Sequence, residues 1–65
     1  MEVTNITKNN ATITVSIDEL VFLSNAINET LEAVEEWEFQ TRTGETRKQA
    51  MEIHAQLREI LRKVD

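Results

Sequence analysis

The hydropathy period of the chain changes at one place, Ser16. Up to it, Ala11, Ile13 and Val15 alternate with Thr12, Thr14 and Ser16, a pattern that Ile17 continues, with the two-residue period of a strand. After it, Leu20, Leu23, Ile27, Leu31 and Val34 recur at helical spacing. The junction Ser16-Ile17-Asp18-Glu19 has the S-x-x-E form of a capping box, in which the serine oxygen accepts a backbone N–H and the glutamate reaches back to the serine N–H. Val15 and Leu20 occupy the two positions of a hydrophobic staple, and Asp18 and Glu19 suit the positive end of the helix dipole. A strand that runs straight into a capped helix limits the chain to folds mixing both elements.

The segment before this strand is also rich in Val, Ile and Thr, and Lys8-Asn9-Asn10 between the two arms has turn composition. In the first arm Val3 and Ile6 are out of phase, which leaves the hairpin register open and is compatible with a β-bulge. A two-stranded hairpin alone is marginal in water, so it requires a helix or further strands to pack on.

On the first helix, Phe22, Ala26, Thr30, Ala33 and Trp37 widen the apolar stripe to a half-cylinder, while Ser24, Asn25, Asn28 and the glutamates 29, 32, 35 and 36 occupy the other half. Residues 38–43 favour extended structure and are expected to form a loop or a short third strand, with Gly44 free to take positive φ. Thr46-Arg47-Lys48-Gln49 repeats the capping-box pattern. A second helix is expected from there to about Val64, with Ala50, Ile53, Leu57, Ile60, Leu61 and Val64 as its apolar stripe. The fold class is therefore α+β, an N-terminal β-hairpin followed by two amphipathic helices (ββαα), in one domain over residues 1–65. Its expected core is Ile13, Val15, Leu20, Leu23, Ile27, Leu31, Val34, Ile53, Leu57, Ile60 and Leu61.

A 65-residue chain buries only about 60% of the surface its unfolded form exposes and often needs a staple. Cysteine is absent and histidine occurs once, at His54, which leaves a partner subunit as the available staple. The net charge of −5 disfavours direct contact with nucleic acid or anionic membranes. No apolar run is long enough to span a bilayer and the N-terminus lacks signal-peptide order, so a cytoplasmic setting is expected. The sequons at Asn5, Asn10 and Asn28 then carry no weight.

Enzymatic patterns are missing: there is no Gly-rich phosphate loop, no serine or threonine close in sequence to a histidine, and no second imidazole for His54. Glu29, Glu32, Glu35, Glu36 and Glu38 share one helix, whereas a metal needs ligands from two elements, so no metal and no cofactor is assigned. The charge is divided: seven acids and no base from Asp18 to Glu38, six bases and four acids from Phe39 onward. In a helical hairpin the edge carrying Arg47, Met51, His54, Arg58 and Arg62 would lie beside the acidic half of the first helix, where ion pairing would orient the two helices.

Ala26-Ile27-Asn28-Glu29, followed by Trp37-Glu38-Phe39-Gln40-Thr41-Arg42-Thr43-Gly44, resembles small uncharacterised bacterial proteins with an "NE…EFxTRxG" pattern ahead of an amphipathic helix. The resemblance covers about residues 16–57. It implies a small bacterial protein of the kind found near toxin or defence genes, with Asn28, Glu29, Glu38, Phe39, Arg42 and Gly44 as its distinctive residues, and implies no activity.

Three functions compete. The first is a non-enzymatic protein–protein interaction module, a homodimer that also binds another protein. Asn28, Glu29, Glu32, Glu36, Glu38, Phe39 and Arg42 are its partner-binding candidates, and Phe22, Ala26 and Ala33, with the hairpin edge, its self-association candidates. The second is an inhibitor or immunity-type protein whose acidic helix blocks a basic site on a toxin, nuclease or other nucleic-acid enzyme. The third is a small-ligand or enzymatic site shared between subunits through Asn28, Glu29, Glu38 and Arg42.

Overall fold

In a computed structural model that describes residues 1–64, strands β1 (Glu2–Ile6) and β2 (Ala11–Thr14) form an antiparallel hairpin. Its turn is closed by the Thr7 N–H donating to the Asn10 carbonyl at 2.8 Å, while the Asn10 N–H donates to the Thr7 hydroxyl at 3.0 Å. A β-bulge sets the register that the sequence leaves open. Val3 pairs with Ile13 and Asn5 with Thr12, which leaves Thr4 as the extra residue, its hydroxyl donating to the Thr12 carbonyl at 3.1 Å. Directly paired residues share a face, so the bulge brings Ile6, opposite Ala11, onto the same face as Val3 and Ile13. An arm that looks irregular in one dimension thus completes a uniform apolar face.

Helix α1 (Ile17–Ala33) begins at the expected box: the Glu19 N–H donates to Ser16 Oγ at 3.0 Å and the Ser16 N–H to Glu19 Oε1 at 2.9 Å. Ser16→Ala is expected to cost about 1 kcal/mol in urea unfolding; an unchanged midpoint would mean the box does not hold the helix start.

The first helix does not reach Trp37. Val34 and Glu35 are extended, and a separate helix α2 (Glu36–Thr43) follows where a loop or short third strand is expected from the sequence. Electrostatics accounts for the break. The last turn of α1 carries no base, and Glu29, Glu32, Glu35 and Glu36 stand at repulsive spacings towards its negative end. Restarting at Glu36 places Glu36 and Glu38 in a first turn and Arg42 in a last one, favourable at both ends. Burial of Phe39 then overrides the weak helix propensity of its neighbours. Gly44 ends α2 with φ 84°, its N–H donating to the Gln40 carbonyl at 2.8 Å. Thr46 and Gln49 form the second box, at 3.1 Å in both directions, at the start of α3 (Arg47–Arg62).

Helix α1 packs on α3 and α2 touches α3, while among the described residues neither strand packs on a helix. Among the expected core residues, Leu20 and Leu31 are buried; Val15, Leu23, Ile27, Val34, Leu57 and Leu61 are half-buried; Ile13, Ile53 and Ile60 are exposed. Phe39, absent from that expectation, is the most buried large side chain at 2% exposure. The molecule measures 35 × 33 × 15 Å. Among the described residues no helix lies on the hairpin, so the sheet has no second layer. Globular domains bury their cores between two layers.

Candidate functional site

The helical layer has two unlike sides. On one, α1 presents Asn25 and Asn28 beside the buried Ser24, and α3 presents His54, Arg58 and Arg62 across a polar groove. The groove continues past Glu32 to Met51 and Arg47. The basic edge of α3 does lie beside the acidic half of α1, as the helical spacing predicts. The expected ion pairs do not form. Among the described residues the pairs are Met1–Glu19 at 2.8 Å, Glu38–Arg42 at 3.4 Å and Glu59–Arg62 at 3.2 Å, none of which joins α1 to α3. The Arg47 guanidinium instead lies 5.9 Å from the centroid of the Phe39 ring, within cation–π range.

The other side is apolar and concave. Leu23, Ala26 and Ile27 of α1, Phe39 of α2, and Ala50 and Ile53 of α3 line a hollow. A second depression adjoins it at Leu23, bounded by Met1 and Phe22. Phe22 is 69% exposed. Ala33 is exposed and lies outside both depressions.

The partner-binding candidates are therefore scattered. Asn28 and Glu32 share the polar groove; Glu29 and Glu36 are solvent-exposed; Glu38 and Arg42 pair with each other on α2. Phe39, the remaining candidate, is buried in the core at 2% exposure and lines the apolar hollow. The hollow itself is built from residues that periodicity assigns to the core. The one signal for it in the sequence is the excess width of the α1 stripe, more than a single neighbour covers.

A further electrostatic contact lies at the hairpin base. The N-terminal ammonium donates to both Glu19 oxygens, at 2.9 and 2.8 Å, and together with the Ser16 backbone N–H lowers the Glu19 pKa from 4.5 to about 2. A depressed carboxylate pKa stabilises the fold above the unfolded value, and that contribution is lost as pH falls from about 4.5 to about 2. Unfolding midpoints measured across this window should fall with pH, and should fall less steeply in Glu19→Gln. Parallel profiles would show that the carboxylate does not act in folding.

Among the described residues no three metal-ligating side chains converge, and no described helix is long and apolar enough to cross a membrane. Neither family models, curated proteins nor solved structures yield a match to the chain.

Proposed function

We propose that the chain is a non-enzymatic protein–protein interaction module that works as a homodimer in the cytoplasm. The observation that carries this reading is excess surface. A compact monomer of 7.5 kDa exposes about 4,250 Å², whereas this chain exposes 5463 Å². The difference, about 1,200 Å², exceeds the roughly 800 Å² that each partner buries in a standard interface. The radius of gyration, 13.2 Å, likewise exceeds the roughly 11 Å of a compact 65-residue domain. Self-association covers the apolar side and leaves the polar groove with Asn28, Glu32, His54 and Arg58 free to receive another protein.

A second reading, the inhibitor or immunity-type protein, is favoured by Glu29, Glu32, Glu35 and Glu36, which are exposed and without ion-pair partners among the described residues. Light scattering at micromolar concentration tests the first reading. It should give twice 7.5 kDa, changing little with salt, because apolar burial is not screened; a constant 7.5 kDa would defeat it. Binding of a basic partner that weakens steeply with salt would instead support the second.

A further inference from the structure

Two apolar faces of this chain lack a second layer, and the chain does not bring them together. One is the hairpin face formed by Val3, Ile6, Ala11 and Ile13, with Val3 56%, Ile6 70% and Ile13 45% exposed. The other is the hollow between α1, α2 and α3. Only Val15 and Ser16 separate β2 from α1. The capping box at Ser16 and the Met1–Glu19 contact fix the hairpin at the start of α1, and among the described residues neither strand packs on a helix.

We infer that the occupant of the hollow is the hairpin of a second copy: each hairpin lays its apolar face on the other chain's helices about a two-fold axis. This rests on the homodimer reading and specifies its contact. A sheet face and a helical layer are the two halves of an ordinary α+β core, and the exchange supplies each half with the layer it lacks. The area is of the right size, since the excess of about 1,200 Å² per chain, divided over the two equivalent contacts of a symmetric dimer, leaves about 600 Å² from each chain in each contact. The depression at Met1 and Phe22 adjoins the hollow at Leu23 and extends the surface on which the hairpin lies. The occupant is a second copy rather than an unrelated apolar segment, because a free hairpin face would remain unburied in any complex that filled only the hollow.

The test uses two exposed positions, one on each face. Ile6→Lys and Ile53→Glu should each weaken the dimer by about 100-fold or more, because each changes both contacts of a symmetric dimer. An equimolar mixture of the two variants should dimerise within about tenfold of the wild type. The heterodimer keeps one unaltered contact, and the introduced lysine meets the introduced glutamate in the other. Sedimentation equilibrium reads all three samples, and rescue in the mixture separates lost contact from lost fold. If Ile53→Glu weakens the dimer while Ile6→Lys does not, or if the mixture shows no rescue, the hairpin is not the occupant and the homodimer reading survives. A wild-type chain that stays monomeric at high concentration overturns both.

Discussion

Phe39→Ala is expected to cost about 3–5 kcal/mol, enough to leave much of the chain unfolded. Among the described residues Phe39 is the only aromatic side chain the fold encloses, at 2% exposure, and it is the one large buried residue that α2 contributes. Its removal opens a cavity between three helices that already share a thin core, takes away the ring beneath Arg47, and leaves Glu38–Arg42 as the one i, i+4 ion pair supporting α2. A 65-residue domain has about 3–10 kcal/mol of total stability at ordinary values per residue. Urea unfolding followed by circular dichroism measures the loss, and a wild-type midpoint would mean that α2 is not part of the cooperative unit.

Leu31→Ala is expected to cost about 2–5 kcal/mol. Leu31 is buried on the side of α1 that packs against α3, the principal helix–helix contact of the fold. Val21, on the same helix but exposed, is the control: Val21→Ala should stay within about 1 kcal/mol of the wild type. Similar losses at both positions in thermal unfolding would show that α1 is rotated about its axis relative to the structure described above.

The helix starts and the hairpin were legible in the sequence because they are local events. Ser16 with Glu19, Thr46 with Gln49 and the alternation in β2 involve residues within a few positions of each other. Helix α2 was not legible. Its residues have modest helix propensity, and its formation depends on where Phe39 goes, a tertiary fact that periodicity does not carry. The core expectation erred for a related reason. Ile13, Ile53 and Ile60 lie on proper apolar faces, but a face is buried only if a second layer covers it. The candidate site divides in the same way: the neighbourhood of Asn28 and Glu32 with His54 and Arg58 follows from helix geometry, whereas the hollow includes Phe39, which the unforeseen helix α2 places there.

On the homodimer proposal, this chain reaches its stable form by sharing a core between copies. Thermal unfolding recorded over a hundredfold range of protein concentration is the deciding measurement, since a folded dimer that melts to unfolded monomers becomes more stable as concentration rises. The midpoint should climb steadily with concentration, by an amount equivalent to about 1.4 kcal/mol per tenfold change. A midpoint that stays constant across the range, with a particle mass of 7.5 kDa throughout, would contradict it.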